Sequence, residues 1–136
     1  MGVTIHYSGS IELRKIPELA RFIEKICEEN KFEYEFVHSK NEKGIVVTID
    51  PNCGPVRFVF DEKGHLREFT KTQFAGMKAH ATVCGLLQSV KEKFVPNMSV
   101  RDESGFWETR DFKKLGEYFT DSAVMFDKVV ESLEKG

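Results

Sequence analysis

The feature that most restricts the fold is a block of short strand-like segments between residues 33 and 69, with a helical pattern on either side. Tyr34 and Phe36 alternate with Glu33 and Glu35, the period of a half-buried strand. Residues 45–50 and 56–60 are dense in β-branched and aromatic side chains, and a shorter stretch follows at 66–69. The connections are brief and polar: 39–44, the Asp50-Pro51-Asn52-Cys53-Gly54-Pro55 turn, and 61–64. Successive strands so closely joined predict an antiparallel meander, since a parallel pair needs a long crossover. Val3, Ile5 and Tyr7 alternate with Thr4 and His6 and add one more strand at the amino end.

Helical spacing frames this block. Ile16, Leu19, Ala20, Ile23, Ile26 and Cys27 recur at steps of three and four, with Pro17 at a favoured first position and Glu18 suited to the positive end. A second helix is predicted over 76–94, where Met77, Val83, Cys84, Leu87, Val90 and Phe94 supply the buried side and Pro96 stops it. A strand pair about Ser104-Gly105 is predicted over 98–109. A last helix carries Phe112, Leu115, Phe119, Ala123, Phe126, Val130 and Leu133, and Asp121 marks a break near Thr120. Strands clustered between helices make an α+β two-layer sandwich, a mostly antiparallel sheet covered on one face by helices. The first topology this order suggests is a ferredoxin-like split βαβ core plus a C-terminal helix, with a profilin-like or TBP-like arrangement as the alternative.

At 136 residues the chain is expected to form a single domain, 1–136, able to bury a core without a metal or disulfide staple. Its 20 Lys+Arg against 22 Asp+Glu, net charge −2, lack the basic excess of a nucleic-acid binder, so no nucleic acid is expected as partner. No apolar run approaches the ~20 residues of a membrane helix, so no membrane partner is expected either. The first residues show no signal-peptide pattern, and Cys27, Cys53 and Cys84 are lone thiols without a CxxC pair. Both features predict a cytoplasmic protein. Phosphate-loop, dinucleotide, zincin and hydrolase-elbow motifs are absent, so the sequence implies no cofactor.

Strand alternation sorts the faces. Val3, Ile5, Tyr7, Tyr34, Phe36, Ile45, Val47, Ile49, Val56, Phe58 and Phe60 form one apolar set; Thr4, His6, Val46, Thr48, Asp50, Arg57 and Val59 form a mixed one. His80 falls on the buried flank of the second helix and His6 on the far sheet face. Packed layers lie about 10 Å apart, so the two imidazoles cannot share a metal, and no metal site is expected. His80 and Cys84, one turn apart, read either as an imidazole-activated thiol or as a satisfied histidine beside a small hydrophobe. The second reading suits a mid-helix cysteine better.

The unusual segment is 100–111, with the only tryptophan, two arginines and several acids. As a two-residue hairpin on Ser104-Gly105 it would set Glu103 opposite Phe106, Asp102 opposite Trp107, and Arg101 against Glu108 as an ion pair. It reads as a solvated hairpin anchored by Trp107, or as a recognition patch. Its acids could also collect a hard cation, although neither an EF-hand spacing nor a glycine-centred loop supports one.

The preferred function is a non-enzymatic protein-binding or regulatory module. Its candidate binding residues are Trp107, Arg101, Asp102, Glu103, Glu108, His6 and Arg57, and its partner is another protein or a second copy of the chain. The alternative is a small enzyme whose pocket gathers His80 as acid/base, Arg101 as clamp, and Asp102 or Glu108 as orienting carboxylate. A small-ligand sensor using the aromatic interior ranks last.

Overall fold

The structure is a computed structural model that describes residues 3–117 and residue 119. Strand β1 (Thr4–Ser10) is followed by a 3-10 turn (Leu13–Lys15) and helix α1 (Ile16–Asn30). Strands β2 (Glu33–His38), β3 (Lys43–Thr48), β4 (Val56–Phe60) and β5 (His65–Lys71) lead to helix α2 (Met77–Lys93). Strand β6 (Ser99–Asp102), a single helical turn α3 (Phe106–Thr109) and helical residues 112–117 complete the described chain. The expected C-terminal helix is visible over that last stretch. The rest of its apolar stripe, and the break near Thr120, lie outside the described residues.

This is an α+β sandwich with two small antiparallel sheets, ordered β5-β1-β6 and β2-β3-β4. β1 lies between the two strands that flank α2, as in a split βαβ unit, but the remaining strands form a second sheet instead of continuing one ladder. The seam runs between β4 and β5. Backbone bonds join it at its ends, Gly54 N to Lys71 O at 2.7 Å and Asp61 N to His65 O at 3.0 Å. Between them the Tyr7 hydroxyl takes the place of a strand. It accepts from Arg57 N at 2.9 Å and donates to Arg57 O at 3.0 Å. Thr70 Oγ1 donates to Pro55 O at 3.1 Å. Backbone groups that would cost about 1–3 kcal/mol if buried unpaired are thus satisfied by side chains. Burial in this seam pushes the Tyr7 phenol up to about 12, so it stays a donor at any ordinary pH.

The predicted phase is observed. Val3, Ile5 and Tyr7 are buried with Val83, Cys84, Leu87 and Val90 of α2, and His80 is fully enclosed on that helix. His6 lies on the opposite face, half-buried beside Phe69. α1 packs on β3 and β2, burying Ile16, Leu19, Ala20, Ile23 and Cys27. It ends where Lys31 turns left-handed at φ 60°, donating its N–H to the Cys27 carbonyl. Some residues depart from the sorted faces. Phe36 of the apolar set is 50% exposed, because β2 is the edge of its sheet, and Thr4 and Val59 of the mixed set are buried. No helix among the described residues is long and apolar enough to cross a membrane.

The predicted hairpin about Ser104-Gly105 is not formed. Only its first strand exists, and residues 106–109 are helical. A two-residue hairpin of the common primed type needs positive φ at both central positions, or at the first. Only the second, Gly105 at 78°, has it. Asp102 then captures the chain: Ser104 N and Oγ donate to its Oδ1, and Trp107 N donates to its Oδ2 at 3.0 Å. A carboxylate at the head of a helical turn accepts its free N–H groups, so the segment winds instead of returning as a strand.

Candidate functional site

Two regions carry the candidate chemistry: a closed polar cluster between α2 and β6, and an open groove between α1 and β2. The cluster centres on His80. Its Nε2 stands 2.8 Å from Asp102 Oδ2 and 3.1 Å from Ser104 Oγ, and its Nδ1 is 2.6 Å from Thr72 Oγ1. With Nε2 as the donor to the carboxylate, the neutral ring accepts the Thr72 hydroxyl proton at Nδ1. Helical spacing brings Cys84 to the same spot, Sγ 3.7 Å from Asp102 Oδ2. The rings of Phe106 and Phe119 close over the imidazole at 6.2 and 5.5 Å. Among the described residues no buried side-chain nitrogen or oxygen is left without a partner.

The electrostatics follow from this enclosure. Desolvation works against the Asp102 carboxylate, but hydrogen bonds from His80 and Ser104 outweigh it and hold its pKa below the usual range. Burial drives the Cys84 thiol up to about 12, and the neighbouring Asp102 charge pushes the same way. A thiol so shifted is no nucleophile at neutral pH. A hydroxyl, an imidazole and a carboxylate stand in contact as in a hydrolase triad, yet Thr72, His80 and Cys84 have no exposed surface from which to reach a substrate.

Of the residues singled out in the sequence, the structure joins His80, Cys84 and Asp102 in one cluster and His6, Arg101 and Glu103 on the outer sheet face, and it leaves Arg57 and Glu108 apart from both. Arg101 is paired in register with His6 on the outer face of the sheet, where Glu103 stands 3.8 Å from His6. Glu108 is exposed on α3 and makes no pair with Arg101, because the strand that would have set them opposite is absent. Trp107 is partly buried beneath the Arg110 guanidinium, 4.5 Å from its ring. Arg57 belongs to the β4–β5 seam with Glu68 at 3.4 Å. The expected gathering of His80, Arg101, Asp102 and Glu108 into one pocket therefore reduces to its His80–Asp102 pair. Thr72 and Ser104 are the partners the sequence reading missed. One reads as a polar connector and the other as a turn residue until the path of the chain is known.

The second region is open. A groove of about 390 Å³ lies between the first turns of α1 and the end of β2, floored by Ile16, Pro17, Ala20 and Val37. Leu13 and Phe36 border it and are about half exposed, at 51% and 50%. Its polar rim is Arg21, Glu24, His38 and Lys43. β2 offers one unpaired backbone edge beside it among the described residues. Gly44 at the groove wall allows β3 and β4 to meet, since a Cβ there would overlap the Phe58 carbonyl. Comparison of the chain with family models, with curated proteins and with solved structures gives no match.

Proposed function

We propose that this chain is a non-enzymatic protein-binding module, and that its docking site is the groove between α1 and the edge strand β2. The observation that carries the reading is the coincidence of an apolar, open groove with a free strand edge. An extended segment of a partner protein can add to β2 through main-chain hydrogen bonds while its alternate side chains enter the groove. Leu13 and Phe36, exposed while Ile16 and Ala20 beneath them are buried, present apolar surface that a partner would cover. The small-enzyme alternative has less support, because His80 and Cys84 are enclosed and Arg101 and Glu108 point elsewhere. His6, Arg101 and Glu103 gather on the outer face of the β5-β1-β6 sheet, but Arg57 lies in the β4–β5 seam and Trp107 and Glu108 lie on α3. This division of the set among three places favours the groove over the tryptophan segment as the recognition surface.

The test is selection of extended peptides from a random library against the folded chain. The expected result is an apolar ligand whose affinity falls more than tenfold in Phe36→Asp and in Leu13→Asp. Ligands unaffected by both substitutions would place recognition elsewhere. A concentration-dependent dimer that Phe36→Asp dissolves would assign the groove to a second copy.

A further inference from the structure

We infer that His80, Cys84 and Asp102 form a closed structural site for a divalent cation of the zinc type. The three donors, an imidazole nitrogen, a sulfur and a carboxylate oxygen, all lie within 4.8 Å of one another, and all three residues are buried. Tetrahedral zinc with bonds of about 2.0–2.3 Å sets such donors roughly 3.3–3.6 Å apart, so small side-chain rotations bring them into range. The nitrogen–oxygen pair must open from 2.8 Å, and the sulfur–oxygen pair at 3.7 Å is nearly in place.

Three further features suit a metal. The imidazole's other nitrogen is already held: Nδ1 has the Thr72 hydroxyl at 2.6 Å, the orienting contact that ligating histidines make. With its proton moved to Nδ1, the ring presents the Nε2 lone pair to the ion. The carboxylate is oriented likewise by Ser104 N, Ser104 Oγ and Trp107 N, none of which needs to be displaced. The charges also cancel. Binding forms a sulfur–metal bond and releases the Cys84 proton to water, so one thiolate, one carboxylate and a dication sum to zero, the neutral state that a site without solvent favours. Ser104 Oγ, 3.1 Å from Nε2 and 2.8 Å from Asp102 Oδ1, is a further oxygen next to two of the donor residues. Mixed nitrogen, sulfur and oxygen donors select zinc-like ions over magnesium or calcium, and full enclosure marks a structural site, not a catalytic one.

The test is titration of the tag-free folded chain with Co²⁺, read by its sulfur-to-metal charge-transfer absorption. The expected result is one equivalent bound with that absorption present, displacement by Zn²⁺, and a rise in melting temperature with Zn²⁺. The double variant Cys27→Ala/Cys53→Ala leaves Cys84 as the only thiol and the cluster untouched, and the absorption must persist in it. Absence of the absorption in the unsubstituted chain would overturn the site. So would its loss in the double variant while that protein remains folded by circular dichroism, or its retention in a folded Cys84→Ala variant.

Discussion

The cluster around His80 and the groove beside β2 divide the molecule's resources in opposite ways. The cluster holds the reactive groups, a histidine, a thiol, a carboxylate and two hydroxyls, and closes them off. The groove keeps its ionisable groups, Arg21, Glu24, His38 and Lys43, on the rim and leaves apolar side chains in solvent. Reactive groups without access hold structure together, whereas apolar surface left uncovered invites a partner. The contrast teaches that residue type alone is a poor guide to a site. Exposure decides which groups a partner or substrate can reach and which ones serve the fold.

The largest effect that could break this contrast is expected at Asp102. Asp102→Ala leaves His80, Ser104 and Trp107 with donors that have lost their acceptor in a buried setting, and should cost about 3–5 kcal/mol by urea denaturation. A loss below ~1 kcal/mol would mean that the cluster does not hold the fold. Gly44→Ala comes next, at about 1–3 kcal/mol, because its methyl group meets β4 backbone and no flexible side chain. Acid should then separate the two regions further. Asp102 has a folded pKa below its unfolded value, so its contribution is complete above an unfolded pKa of ~3.9 and drains away as pH falls through the folded value. The difference in unfolding free energy between the unsubstituted chain and Asp102→Asn should therefore shrink from pH 5 towards pH 2. The smallest effect belongs to the groove: Leu13→Asp and Phe36→Asp should change stability by no more than ~0.5 kcal/mol while weakening peptide binding more than tenfold. A large stability loss there would make these residues part of the core.

Much of the fold was legible because it is written in local periodicity. The alternation of Val3, Ile5 and Tyr7 placed the inward face, and steps of three and four placed α1 and α2 almost to the residue, with His80 inside and His6 outside. What remained hidden depends on contacts far apart in sequence. Nothing near Tyr7 announces that its hydroxyl will bond the backbone of Arg57, 50 residues away. Nor does Thr72 announce a histidine eight positions on. The segment after Asp102 reads as a hairpin because of the turn propensity at Ser104-Gly105, while the carboxylate that winds the chain into a helical turn acts only in three dimensions. Alternation alone puts Phe36 in the core, because it cannot tell an edge strand from a central one.

Residue-resolved hydrogen exchange, with and without a library-selected peptide, tests the division between the two regions most directly. The account predicts that added peptide slows exchange along Glu33–His38 and leaves the amides of Asp102 and Phe106–Arg110 unchanged. Slowing confined to Asp102 and Phe106–Arg110, with Glu33–His38 unaffected, would contradict it.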